Sequence, residues 1–211
     1  MVKCLMKQDL HVCFCHDDGY VKYASVLMNS IVLNAEKLAS QKKEKYRFIF
    51  HLICDRISQE SIENISIIES QLTTHFECKI LFHEFDDSVF RKYHSWNTDG
   101  KVSYATYLRL ILPEVLDHDI DKCVYLDCDM LCYGDLTELF ELDLGESIIA
   151  ASPDERALMM SLEIKERQSN RKFQHIYQPN ECYFNAGTLV INLRNGEMKV
   201  TGNYYDLEKI S

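Results

Sequence analysis

The chain has 211 residues, a length that favours one large domain and excludes a very small disulfide-stapled module. Apolar residues make up 46 % and charged residues 27 %, and only three prolines and seven glycines interrupt the pattern, which excludes disorder and fibrous repeats. Thirty-three acidic against 23 basic side chains leave a net charge of -10, and no basic cluster exceeds Lys42-Lys43 with Lys45 nearby, so the charge argues against nucleic acid as a partner.

Apolar and β-branched runs alternate with helical periodicity, which predicts βαβ units and a largely parallel sheet covered by helices, an α/β fold. His11 to Cys15 is short and continuously apolar, as an inner strand is, and it stops at the polar turn His16-Asp17-Asp18-Gly19. From Tyr20 onward, Tyr23, Leu27, Ile31, Asn34 and Leu38 follow 3-4 spacing, with Ala24, Met28 and Ala35 beside them. That pattern predicts a helix with a broad buried stripe. After a charged connection, Tyr46 to Ile53 reads as a second strand, and Ser58 is placed to cap a helix that ends at about Leu72 with Ile62, Ile65, Ile68 and Leu72 on one side. Cys78 to Phe82 is a third strand. Residues 83–100 carry the single tryptophan, Trp96, show no clean period and read as a loop. Helix resumes at Ser103 and ends in the polar turn 117–121, after which Lys122 to Leu126 forms a strand. A short helix over 135–141, a strand over 147–151, an acidic helical stretch and a last strand from Thr188 to Leu193 follow. No repeat or linker marks a boundary, so residues 1–211 are expected to form a single domain.

Nine cysteines are many but odd in number, and their spacing fits neither a paired disulfide framework nor two zinc knuckles; they read as reduced, mostly buried thiols. The first ten residues lack the apolar core of a secretory signal, and no run approaches the length that spans a bilayer. The expected location is the reducing cytoplasm, free in solution or peripheral at the inner face of the membrane.

In open α/β sheets ligands bind beyond the carboxyl ends of the strands. Three places qualify: His16-Asp17-Asp18, Asp127-Cys128-Asp129 and Ser152-Pro153-Asp154. Sixteen aspartates give about one Asp-x-Asp by chance, and this chain has three. Two of them, Asp117-His118-Asp119 and Asp119-Ile120-Asp121, lie in the polar turn. Asp127 and Asp129 differ because a buried strand delivers both carboxylates to its end, a costly arrangement unless a cation neutralises them. Oxygen donors favour Mg²⁺ or Mn²⁺, which keep positions open for phosphate oxygens. The bland alternative is a structural turn.

Four segments carry a resemblance: SYATYLRLILPE, CVYLDCDMLCYGDLTELFELDLG, IIAASPD and CYFNAGTLVINLR. In this order they resemble the nucleotide-sugar domain of family-eight retaining glycosyltransferases, the group of bacterial lipopolysaccharide galactosyl- and glucosyltransferases and of glycogenin. The likeness covers most of residues 11–194. It implies the GT-A fold, a Rossmann-like, mostly parallel mixed sheet flanked by helices in a single domain. It also implies that Cys15, His16, Asp17 and Tyr20 line a uridine pocket, with Tyr20 stacked on uracil, although Gly19 departs from the asparagine usual in the pattern. Asp127, Cys128 and Asp129 would meet the donor diphosphate, with Mn²⁺ (or Mg²⁺) on Asp127 and Asp129. Arg109 matches the arginine near those aspartates and the donor sugar. Asp154 and Asn185 match positions that hydrogen-bond sugar hydroxyls or the leaving diphosphate, and with Arg109 they form the catalytic set.

Each of these residues also has a plain reading. Cys15 and His16 could be strand-end residues, Arg109 a helix-surface arginine and Asn185 a turn residue. On an otherwise apolar helix, however, an unpaired Arg109 is costly, so a carboxylate or phosphate partner is expected. His94, Trp96 and Tyr104 read best as core.

The activity implied is metal-dependent, retaining transfer of a hexose from UDP-galactose or UDP-glucose to a lipopolysaccharide or related glycan acceptor. Attack from the phosphate's own face and a protein nucleophile both remain open. After Arg194 the motifs stop. The family's Gln-Asp-x-Asp segment, the histidine that is the third metal ligand, and the basic, aromatic membrane-docking end have no counterpart in the sequence. A shortened product would expose apolar sheet surface and self-associate. The competing reading is therefore a truncated, non-catalytic module that binds a nucleotide sugar. A nucleotidyltransferase would want a basic, glycine-rich phosphate loop where this chain has the acidic HDDG.

Overall fold

The computed structural model describes residues 7–38, 40–43, 45–86, 104–154 and 184–194. The acidic stretch expected after the fifth strand, and His94 and Trp96, lie outside these, as does the side chain of Tyr104. Among the described residues six strands form one sheet: β1 Gln8–Cys15, β2 Tyr46–Cys54, β3 Cys78–Glu84, β4 Lys122–Leu126, β5 Ile149–Pro153 and β6 Phe184–Asn192. Their spatial order is β3-β2-β1-β4-β6-β5. The first four are mutually parallel, and β6 runs antiparallel to both β4 and β5. The chain lays β2 and β3 on one side of β1 and returns to place β4 on the other. The switch point of the sheet, where a crevice opens beyond the strand ends, is therefore between β1 and β4.

The period of two along each strand sorts side chains to opposite faces. Leu10, Val12 and Phe14 of β1, Phe48, Phe50 and Leu52 of β2 and Val124 and Leu126 of β4 join one core, under α1 Val21–Leu38 and α2 Gln59–Leu72. Cys13, Cys15, Ile53, Cys123, Tyr125, Leu189 and Ile191 join the other core, with Leu108, Ile111 and Leu112. Helix α1 buries Ala24, Leu27, Met28, Ile31 and Ala35 as the spacing predicts, and Val21 and Val32 with them. Its stripe is nevertheless rotated, because Tyr23 and Leu38 stand exposed. Ser58 caps α2 as expected, its hydroxyl accepting from the Ser61 amide.

The helix expected from Ser103 takes a different form. Tyr104–Ile111 is a 3-10 helix, followed by the single α-turn α3, Leu112–Val115. Pro113 accounts for the break between the two: it has no amide proton to bond back to the carbonyl of Arg109, which its ring also crowds, and it is tolerated in the first turn of α3, where that donor has no partner to lose. Leu108 and Ile111, three residues apart, then fall on the same side, against the sheet. A further short helix, α4, spans Thr137–Glu141.

Three adjacent parallel strands carry a row of histidines on one face. Register pairs His11 with Ile49 and His51 with Leu81, which leaves the rings one step apart. His11 Nδ1 lies 2.9 Å from His51 Nε2, and His51 Nδ1 lies 2.8 Å from His83 Nε2. Burial lowers the pKa of all three, that of His51 to about 3, with the neighbouring His11 and His83 adding to the effect. The row is neutral at pH 7. All seven cysteines among the described residues are free thiols, six of them buried. No described helix is long and apolar enough to cross a membrane.

Candidate active site

The carboxyl edge of the sheet gathers segments that are remote in sequence. Strands β1 and β4 deliver His16-Asp17 and Asp127 side by side, β5 ends at Asp154, and antiparallel β6 starts at the same edge with Phe184-Asn185-Ala186-Gly187. The pairing of β4 with β6 runs one step past the strand, as the Asp127 amide donates to Gly187 O at 2.8 Å.

Asp127 is held on several sides. Its Oδ1 accepts from the Tyr125 hydroxyl at 2.6 Å and from the Arg109 guanidinium at 3.2 Å. The guanidinium lies over the Tyr125 ring, 4.6 Å from its centroid, and donates to Ala186 O at 2.6 Å. Arg109 thus meets the carboxylate partner that its apolar surroundings require. Burial pushes the Tyr125 phenol upward, so it stays protonated and acts as donor. Gly187 leaves room for Asp127: a Cβ there would sit 2.9 Å from Asp127 Oδ2 and 3.1 Å from Asn185 Oδ1. Asn185 Oδ1 accepts from the Gly187 amide at 2.8 Å, which commits its carbonyl to the turn and leaves its amide nitrogen as the group able to reach a ligand.

The thiol of Cys128 lies among the carboxylates. Burial first, then the charges of Asp127, Asp129 and Asp17, push its pKa to about 12. Cys15, also buried, is raised by burial and by Cys128, and its backbone oxygen lies 4.0 Å from Cys128 Sγ. Both thiols are therefore unreactive filler beneath the carboxylates. Tyr20 is exposed and packs against Tyr23 at 5.1 Å between ring centroids, so its remaining face is open to a planar ligand. His16 is 2 % exposed. Its Nδ1 lies 2.9 Å from Asp17 O, and its Nε2 is the one buried side-chain polar atom without a partner among the described residues. Asp18 turns away from the cluster: its Oδ1 accepts from the Ser58 amide at 3.0 Å and from the Ser58 hydroxyl at 3.2 Å, tying the turn after β1 to the start of α2.

Asp17, Asp127, Asp129 and Asp154 follow strand ends at this edge, and Arg109 forms an ion pair with Asp127. Carboxylates gathered in this way repel an anionic ligand, and a cation offsets that repulsion. The residues fit a hard divalent ion. Their donors are carboxylate oxygens, and the space beside Asp127 Oδ2 is the one a Cβ at Gly187 would fill. Among the described residues no group of three or more His, Cys, Asp or Glu side chains is placed to hold a metal ion. Sequence reasoning missed Tyr125 and Gly187. Tyr125 lies two positions before Asp127 and so on the same face of the strand, which was a readable signal. Gly187 inside a strand is a recognised mark of close approach.

The fold places this edge where open α/β sheets bind ligands, and comparison with known proteins gives the family. The model of glycosyl transferase family 8 matches residues 11–210, and the chain belongs to that family. The match runs past Arg194, where the motifs stop. The chain is 28 % identical over 207 residues to the lipopolysaccharide 1,2-glucosyltransferase of Escherichia coli, covering 98 % of this chain and 54 % of that protein. It is 27 % identical over 146 residues to the lipopolysaccharide 1,3-galactosyltransferase of Salmonella typhimurium, covering 68 % and 39 % respectively. Among solved structures it resembles the galactosyltransferase LgtC in complex with donor and acceptor sugar analogues, with TM-score 0.62 and 28 % identity over 88 % of this chain and 58 % of that one. The mixed sheet flanked by helices is the GT-A arrangement of these neighbours. The chain spans about half the length of the E. coli relative.

Proposed function

We propose that this chain is the donor-binding part of a retaining hexosyltransferase that takes UDP-galactose or UDP-glucose, with a divalent cation, and serves assembly of lipopolysaccharide or a related glycan. The observation that carries the reading is Asp127 at the switch point, fixed by Arg109, Tyr125 and the backbone of Gly187. Asp127 and Asp129 would hold Mn²⁺ or Mg²⁺, which supplies positive charge for the diphosphate as the anomeric bond breaks. Arg109 adds a fixed charge beside it and orients Asp127. Tyr20 offers an aromatic face to the base, with Asp17 as a hydrogen-bond acceptor nearby, while Cys15, His16 and Cys128 form the buried floor below. Asp154 and the amide of Asn185 stand where sugar hydroxyls would be oriented, across the edge from Tyr20. A protein of this kind works in the cytoplasm or at the inner face of the membrane, where its acceptor lies; membrane contact and self-association belong to the same proposal.

Calorimetric titration of UDP into the purified chain, with and without Mn²⁺, tests the reading. We expect binding only with Mn²⁺, and its loss in the Asp127→Asn/Asp129→Asn double variant. Equal binding in both proteins would overturn the metal assignment. Mn²⁺-dependent UDP binding without transfer to any glycan would favour the non-catalytic module instead.

A further inference from the structure

We infer that Tyr125 is a positioning residue for the metal-binding carboxylate, its hydroxyl holding Asp127 Oδ1 so that Oδ2 is the oxygen presented to the cation. The inference rests on the metal site proposed above and adds to it a residue that does not touch the ligand.

Tyr125 lies inside β4, 1 % exposed, with Cys13 of β1 and Leu189 of β6 as register partners on its two sides. A ring packed in this way has lost its rotamer freedom on folding, so the position of its hydroxyl costs nothing further when a ligand arrives. That hydroxyl makes the shorter of the two hydrogen bonds to Asp127, 2.6 Å against 3.2 Å from Arg109. The two donors occupy one oxygen only. Oδ2 accepts no hydrogen bond among the described residues and lies beside Gly187, the position without a side chain. Arg109 alone would orient the carboxylate poorly. Its guanidinium ends a long side chain and also serves Ala186 O, and its own place is set by stacking on the Tyr125 ring. The phenol therefore acts twice, through its ring on Arg109 and through its hydroxyl on Asp127. Such a partner behind a metal ligand fixes the ligand's rotamer, and its loss typically costs ten- to a hundred-fold in metal affinity.

Tyr125→Phe separates the two actions, because it keeps the ring under Arg109 and removes one oxygen atom. The test is a Mn²⁺ titration followed by the electron paramagnetic resonance signal of the free ion, for the wild-type chain, Tyr125→Phe and Asp127→Asn, each with UDP present and well below its unfolding midpoint. We expect Tyr125→Phe to weaken Mn²⁺ binding about ten-fold, between the wild-type value and the loss in Asp127→Asn. A purely structural tyrosine would lower the unfolding midpoint and leave the affinity of the folded protein unchanged, and that result overturns the inference. Absence of Mn²⁺ binding by the wild-type chain would instead overturn the metal site itself, and the inference with it. Tyr125→Leu, which also removes the support for Arg109, is expected to bind Mn²⁺ more weakly than Tyr125→Phe.

Discussion

At Gly187 a single methyl group would disturb most of the candidate site. Its Cβ would press on Asp127 Oδ2 at 2.9 Å and on Asn185 Oδ1 at 3.1 Å, two side chains that carry the site's geometry. Gly187→Ala is therefore expected to weaken Mn²⁺-dependent UDP binding by more than about ten-fold, a loss of roughly 1.4 kcal/mol, as read by calorimetry. The variant should remain folded, since Thr188–Asn192 keep their pairing with β4 and Phe184 its pairing with β5. Ser58 is the contrasting residue, remote from the chemistry but structural. Ser58→Ala removes both the α2 cap and a donor to Asp18, at a cost of about 1 kcal/mol, which lowers the unfolding midpoint by roughly 2–4 °C in a protein of this size. Unchanged thermal unfolding would mean that the cap is not worth its hydrogen bonds. The pair Asp127 and Asp129 was legible in the sequence because a short apolar strand ends on it. Gly187 and Tyr125 were not read, because their partner is one carboxylate whose position depends on β4 and β6 being neighbours.

The strands carry a pH response of their own. His11, His51 and His83 are held neutral by burial, with Asp117 and Asp119 near His11, Asp117 near His83, and Asp9 and Arg47 at the outer end beside His11. The folded row binds fewer protons than the same imidazoles in the unfolded chain, so its contribution is complete above pH 6.5 and is lost as pH falls below that value. The unfolding midpoint should therefore drop steeply between pH 6.5 and pH 4.5. Replacing all three histidines by phenylalanine should flatten that slope, since both partners of each bond are removed together. A slope unchanged in the triple variant would assign the effect to other groups. Nothing in the sequence announces this row, because it depends on the register between strands and not on the composition of any one strand. The helices were legible to different degrees for related reasons. The 3-4 spacing located α1 and α2, yet could not tell that Tyr23 would face outward, and the helix expected from Ser103 is divided just before Pro113 into 3-10 and α parts.

On the scale of the whole molecule, a net charge of -10 acts on any anionic ligand before contact. Nucleotide diphosphates are repelled at long range, and salt shortens that range from about 10 Å at 0.1 M to about 3 Å at 1 M. Raising ionic strength at saturating Mn²⁺ should leave the association rate of UDP unchanged or faster, the opposite of a basic phosphate-binding protein, and stopped-flow measurement reads this directly. A rate that falls steeply with salt would point to a basic surface among residues not described above. The α/β class was legible from the alternation of strands and helices, which predicts a largely parallel sheet, and the mixed sheet only through the family resemblance. The placing of β6 between β4 and β5 was not, since neither strand pattern names its neighbour.

The bond between the Asp127 amide and Gly187 O joins residues sixty positions apart, so it also dates the site in the life of the chain. During synthesis the β1, β2 and β3 pairings can form early, because their contacts lie close in sequence. The carboxylate pair emerges next, and it waits for sixty more residues before the strand that completes its surroundings exists. Completion of the candidate site is thus a late event of folding, reached only when β6 has paired with β4.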